Sequence, residues 1–107
     1  MPSTKKAAPS KQATLPRPFD YSKRFLKDWD RLSRTSRYNM IQLKQAMLLI
    51  IANDGQLSAE WLDHELKGDW ADHRECHIGG DFLLIYYVDD AGMLWFVRAG
   101  THAELFE

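Results

Sequence analysis

A small α+β domain is the expected product of this sequence. Up to about residue 52, large apolar residues recur at helical spacing; from residue 57 onward the apolar runs are short, β-prone and bounded by turn residues. The run Phe82 to Val88 is nearly all apolar, as in a central strand covered on both faces. The 107 residues fit one domain, and four Trp, five Phe and four Tyr supply a modest core. The architecture this predicts is an N-terminal helical hairpin packed on an antiparallel sheet of about four strands.

Residues 1–18 are rich in Lys, Ser, Ala and Pro and nearly devoid of large apolar side chains, so they read as a disordered basic tail before a domain at 19–107. Phe19-Asp20-Tyr21 reads as a short edge strand. A helix is predicted over 22–33, with Ser22 as N-cap. Tyr21, Phe25, Trp29 and Leu32 form its apolar stripe, and Lys23, Arg24, Lys27, Arg31 and Arg34 line the remainder. Asn39 caps a second helix over 40–52, apolar over more than half its circumference and therefore the more buried of the two, with Gly55 near its C′ position.

The second half begins with a helical turn within 57–62 and a loop or irregular edge strand over 63–68. Strands follow over 70–78, 82–88 and 93–99. Gly79-Gly80 can take positive φ at both central positions of a type I′ hairpin turn, which would set His77 and Asp81 on its two shoulders. Thr101 and Glu104 have capping-box spacing, so a short helical turn starts there with His102 at its N-terminus and Phe106 four residues on.

Charge is asymmetric. Residues 1–18 hold four bases and no acid, 19–53 seven bases against three acids, and 54–107 three bases against twelve acids. A polyanion would meet the first half more readily. The single Cys76 excludes an intramolecular disulfide framework and reads as packing, alternating away from His77. No apolar run has the length of a membrane span and the N-terminus lacks a signal-peptide core, so a cytoplasmic protein is expected.

His64, His77 and His102 fall in loops or turns. Asp81 sits in the hairpin, and Arg98 near the end of the strand leading to His102. Such a set has three readings. Phosphodiester cleavage of RNA needs a base for the 2′-OH, an acid for the leaving 5′ oxygen and a cation for the phosphorane, and histidine and arginine suit those roles. Three histidines with Asp81 would also make a tetrahedral metal set, although no H-x-x-x-H or C-x-x-C spacing supports one. Taken singly, each histidine fits an ordinary loop residue bonded to backbone.

Four segments in order, Asp63-His64-Glu65-Leu66-Lys67-Gly68-Asp69-Trp70, Arg74-Glu75-Cys76-His77, Asp81-Phe82-Leu83-Leu84-Ile85-Tyr86 and Arg98-Ala99-Gly100-Thr101-His102-Ala103-Glu104-Leu105-Phe106, resemble the YafQ branch of the RelE/ParE toxin superfamily. The resemblance covers residues 19–106. It implies a RelE-like compact fold and a type II toxin, a ribosome-dependent mRNA endoribonuclease with no metal or small-molecule cofactor and no membrane partner. The partners it implies are a cognate antitoxin, the ribosome and mRNA. An acidic antitoxin segment would dock on the Lys/Arg face of the first helix. The family's functional histidines fall on His64, His77 and His102, its acidic site residue on Asp81, its arginine on Arg98 and its C-terminal aromatic on Phe106. Catalysis would then run through His64, His77, Asp81 and His102, with His102 the leading general acid and Arg98 and Phe106 binding substrate. Glu65, Phe82, Gly79-Gly80 and Ala99 depart from the family's usual Pro, Trp, rigid turn and Thr. The same superfamily also implies alternatives, a non-nuclease ParE-like toxin acting on a protein such as gyrase, or a degenerate toxin that keeps only antitoxin binding.

Overall fold

The computed structural model describes residues 16–52 and 57–106; of the disordered tail expected over 1–18, residues 1–15 lie outside the described residues, as does the glycine stop at Gly55, while Arg17 and Pro18 hydrogen-bond to Ile51 and Leu94. In chain order the elements are strand β1 (Phe19–Tyr21), helices α1 (Lys23–Ser33) and α2 (Met40–Ala52), strands β2 (His64–Glu65), β3 (Arg74–Gly79), β4 (Phe82–Val88) and β5 (Leu94–Thr101), and helix α3 (His102–Phe106). One five-stranded sheet has the order β1-β5-β4-β3-β2. β1 runs parallel to β5, and every other pair is antiparallel.

Both helix starts follow from short polar caps. The Ser22 hydroxyl accepts from the Phe25 N–H at 3.0 Å, and Asn39 Oδ1 from the Gln42 N–H at 2.9 Å. At the other end of α2, the Arg17 side chain donates to the Ile50 carbonyl, a cation meeting the negative end of the helix dipole. Phe25, Leu32, Leu43 and Ile50 pack with Cys76, Leu84 and Phe96 in the main core beneath α1 and α2. The expectation of a more enclosed α2 holds on one face only. Leu43, Ala46, Met47 and Ile50 are buried, while Ile41 and Leu48 face solvent, because the sheet covers only one side of the helix. The opposite face of the sheet carries a smaller core, Leu83, Ile85 and Leu105 with Leu66, Trp70, Val97 and Phe106 against it. β4 is therefore covered on both faces, and α3 supplies part of the second cover.

β1 pairs only with Leu94 to Phe96, so the rest of β5 would present unpaired backbone groups. α1 and its cap take them up. Ser22 donates from its N–H to the Phe96 carbonyl (3.0 Å) and from its hydroxyl to the Val97 carbonyl (2.6 Å). The Ala99 N–H donates to Asp28 Oδ2 (3.0 Å), and its carbonyl accepts from Arg31 Nη2 (3.4 Å).

Two local expectations change. The strand expected from residue 70 begins at Arg74. Gly68 and Asp72 have φ of +67° and +73°, outside the extended region, and the chain forms a 3₁₀ turn over Gly68–Trp70 instead. In the hairpin, a register shift between His77 and Gly79 makes Gly79↔Phe82 the last pair. The turn is therefore Gly80-Asp81, with positive φ at Gly80 (+53°) and not at Asp81 or Gly79. Asp81 thus occupies the turn itself and not its shoulder. No atom lies within 4 Å of a Cβ placed at either glycine, so backbone conformation alone separates them. Gly80→Ala is expected to cost about 1–2 kcal/mol and Gly80→Asn less. Gly79→Ala should cost under about 0.5 kcal/mol, in line with an unstrained surface site. Urea melts of the three variants check this.

Candidate active site

The period of two in β3 puts Glu75 and His77 on one face, and their partners across the ladder, Ile85 and Leu83, place that face opposite the helices. β2 then lays His64 directly against Glu75. His64 Nε2 and His77 Nε2 lie 3.4 Å and 3.6 Å from the same oxygen, Glu75 Oε1, with the two imidazoles 6.1 Å apart. Glu75 is buried, and its Oε2 has no hydrogen-bond partner among the described residues. His64 Nδ1 sits 2.7 Å from the Leu62 carbonyl, which can only accept, so Nδ1 carries the hydrogen and Nε2 is the basic nitrogen of the neutral ring.

The loop that delivers His64 is fixed from both sides. Leu62 is held at a left-handed φ of +49°, an uncommon conformation for a leucine, and this is the residue whose carbonyl meets His64. Next to it, Asp63 accepts from Arg74 Nε (3.1 Å) and Tyr86 Oη (2.8 Å). Burial, with Asp63 beside it, pushes the Tyr86 phenol well above its ordinary value, so it remains a neutral donor to Asp63.

α3 carries the other part of the site. Its capping box is complete: the Thr101 N–H donates to Glu104 Oε1 (2.7 Å) and the Glu104 N–H to Thr101 Oγ1 (3.3 Å). Asp81 Oδ1 accepts from the His102 N–H at 3.1 Å. The His102 and Phe106 rings meet one turn apart at a 46° tilt with centroids 4.8 Å apart, and Phe106 and Trp70 pack edge to face at 6.0 Å. In the ladder, His77 neighbours Leu83 and Leu83 neighbours Gly100. Two strand spacings, about 10 Å, therefore separate the backbones of the His77 group and the start of α3. A cleft of about 400 Å3 also opens beside His77, lined by Gln42, Trp61, Leu62 and the hairpin glycines. The larger cleft, about 840 Å3, lies toward the Val88 end of β4; five carboxylates (Asp63, Glu65, Asp72, Asp89, Asp90) outnumber Arg17 and Arg74 in its lining, which disfavours a phosphate.

Two expected site residues are placed differently from the sequence reading, and one residue outside it joins the site. Arg98 is buried: its Nε and Nη2 donate to Asp28 Oδ2 (2.8 Å) and Oδ1 (3.0 Å), so this fork holds a carboxylate where a phosphate was expected. The cause is a register shift in β5 that leaves Val97 unpaired next to Arg98, at the edge that α1 covers. Burial alone would raise the Asp28 carboxyl, but Arg98, Arg31 and the Ala99 N–H outweigh it and hold it below the usual carboxylate range. Asp81, expected beside His77 as a candidate base, caps α3 instead. The third difference is Glu75, absent from the sequence-derived set, which joins His64 and His77. Period two alone could have signalled it, since it lies two residues from His77. Cys76 points to the main core, and burial pushes its thiol up to about 12, far from a nucleophile's range.

One oxygen or nitrogen from each of His64, Glu75 and His77 lies within 4.8 Å of the others. The His64 Nδ1–H bonded to a backbone carbonyl, with Nε2 turned inward, is the second-shell arrangement of a metal-ligating histidine. The side chains present therefore fit a divalent cation, through a set different from the three histidines and Asp81 weighed from sequence.

Residues 17–107 match the family model described as the bacterial toxin of type II toxin–antitoxin system, YafQ. The chain belongs to this family. It is 39% identical over 92 residues to the mRNA interferase toxin YafQ of Escherichia coli K12, covering 86% of this chain and 98% of that protein. The YafQ chain in a crystal structure of the E. coli DinJ-YafQ toxin-antitoxin complex superposes with a TM-score of 0.76 at 39% identity, covering 87% of this chain and all of that one. A copper-bound mutant toxin from Helicobacter pylori superposes with a TM-score of 0.74 at 36% identity, over 84% of this chain and 99% of that one. The YafQ family thus shares with this chain the α+β architecture described above.

Proposed function

We propose that this toxin is an mRNA interferase, an endoribonuclease that cuts mRNA on the ribosome and is neutralised by a cognate antitoxin. The observation that carries the reading is the pairing, on one sheet face, of a two-histidine carboxylate cluster with a histidine on α3 about two strands away. The YafQ of E. coli K12 carries the same activity in its name. The His64–Glu75–His77 cluster takes the proton of the 2′-OH as that oxygen attacks phosphorus, and His102 donates to the departing 5′ oxygen, leaving a cyclic phosphate. Phe106 offers a face on which a base stacks. Arg98, engaged by Asp28, holds β5 to α1 and is not free to bind the phosphate. Purified protein added to ribosomes loaded with mRNA is expected to give discrete breaks by primer extension. Transcripts that stay whole would overturn the reading.

A second reading concerns metal. A relative from Helicobacter pylori was solved with copper, and His64, Glu75 and His77 would hold such an ion here. Bound there, it would supply Lewis acidity. It would also occupy the lone pair of His64 Nε2, the base invoked above. Micromolar Cu2+ or Zn2+ is therefore expected to slow cleavage, with EDTA restoring it and the Glu75→Gln variant showing weaker binding by calorimetry.

A further inference from the structure

We propose that Arg31 is a positioning residue for RNA cleavage, one that fixes the first turn of α3, and through it His102 and Phe106, against the buried Asp28–Arg98 pair. The inference rests on the endoribonuclease reading above. All three Arg31 nitrogens face protein acceptors: Nη1 donates to Asp28 Oδ1 (2.8 Å), Nη2 to the Ala99 carbonyl (3.4 Å), and Nε lies 3.3 Å from Glu104 Oε2. The other Glu104 oxygen is the one that caps Thr101. Arg31 therefore joins the helix packed on one side of β5 to the first turn of the helix that carries His102.

That turn depends on such ties. α3 has five residues, far fewer than a helix needs to persist on its own. Its remaining anchors are Leu105 and Phe106 at the smaller core and Asp81 on the His102 N–H. Gly100 shows how closely the parts meet: a Cβ there would lie 2.7 Å from Glu104 Oε1 and 3.1 Å from Arg31 Nη2. Arg31 differs in this from the other basic residues of α1. Lys23, Arg24 and Lys27 make no ion pair among the described residues, whereas Arg31, exposed like them, points its fork at Asp28, Ala99 and Glu104.

A cation that only attracts a polyanion and a fork that positions a helix make different demands on position 31. Arg31→Lys keeps the charge but presents one nitrogen to acceptors that now engage three. Glu104→Gln leaves the Asp28–Arg98–Arg31 group intact and removes only the charge that Arg31 holds on α3. Under single-turnover conditions with saturating ribosomes, Arg31→Lys and Glu104→Gln are each expected to lower the cleavage rate about 10- to 100-fold, the scale of a misplacement near 1 Å. Ribosome affinity should stay within about twofold, and the double variant should lose no more than the worse single one. Lys27→Ala, which removes a neighbouring charge outside this group, should keep the bound-state rate. By NMR, the His102 ring protons should move away from the shifts that the neighbouring Phe106 ring imposes in both Arg31→Lys and Glu104→Gln. Full cleavage rate in Arg31→Lys, a loss confined to ribosome binding, or unmoved His102 ring signals would each overturn the positioning role alone. Wild-type protein that leaves transcripts whole would overturn the endoribonuclease reading and this inference together.

Discussion

Asp28→Ala is expected to lower folding stability by about 3–5 kcal/mol, the scale for breaking a buried ion pair and leaving one charge uncompensated. Asp28 is 2% exposed and Arg98 7%, and the carboxylate accepts from four donors: two Arg98 nitrogens, one Arg31 nitrogen and the Ala99 N–H. The variant strands the Arg98 guanidinium in the space between α1 and β5 and also orphans an edge N–H. For a domain of this size such a loss is a large part of the total. Replacing both partners, as in Asp28→Leu with Arg98→Met, should cost much less, because no uncompensated charge remains. The pair also gives a signed pH dependence. The folded Asp28 carboxyl lies below its ordinary value of 3.8, so the wild type binds fewer protons there than the unfolded chain. Its contribution is complete above the unfolded value and is lost as pH falls through the folded one. The gap between wild type and Asp28→Ala in urea melts is therefore expected to be constant from pH 7 to about pH 5 and to narrow below about pH 4. A gap that persists unchanged at pH 3 would mean that the pair is not the source of the loss.

Asp28 also shows where sequence reasoning stopped short. The stripe Tyr21, Phe25, Trp29 and Leu32 located α1 correctly, because helical spacing of apolar residues is a local signal. Asp28 sits on that stripe, three residues after Phe25 and four before Leu32. A carboxylate at a core-facing position requires a buried cation, and Arg98 is one of only three basic residues after residue 53. The pairing was thus partly legible, yet it spans 70 residues and depends on a register shift in β5 that leaves no mark in composition. The hairpin behaved similarly. Two glycines fixed the position of a turn, but a shift of one residue decided that Asp81 would lie within it. Glu75 was readable from alternation with His77, since residues two apart in a strand share a face. His64 was a candidate from sequence, but its position against Glu75 was not legible, because it depends on a left-handed Leu62 and a two-residue strand that no periodicity announces.

Glu75→Gln and His102→Ala are each expected to cut mRNA cleavage by about 10²- to 10⁴-fold, the usual range for a positioned acid or base. Glu75→Gln preserves shape but removes the charge shared by His64 and His77 on one oxygen, so proton uptake from the 2′-OH loses its sink. His102→Ala removes the donor to the leaving oxygen and leaves the α3 backbone in place. If the two serve a single concerted step, the double variant should fall little below the worse single one. Asp81 supplies the sharper contrast. As a cap it needs only an acceptor for the His102 N–H, which an amide oxygen provides. Asp81→Asn should therefore keep most of the wild-type single-turnover rate, and Asp81→Ala should lose about tenfold through the loosened turn. Were Asp81 the base, Asn would be as damaging as Ala and both would approach the loss seen in Glu75→Gln. Rates of the Asn and Ala variants on the same ribosome-bound mRNA decide whether Asp81 acts as a cap or as the base.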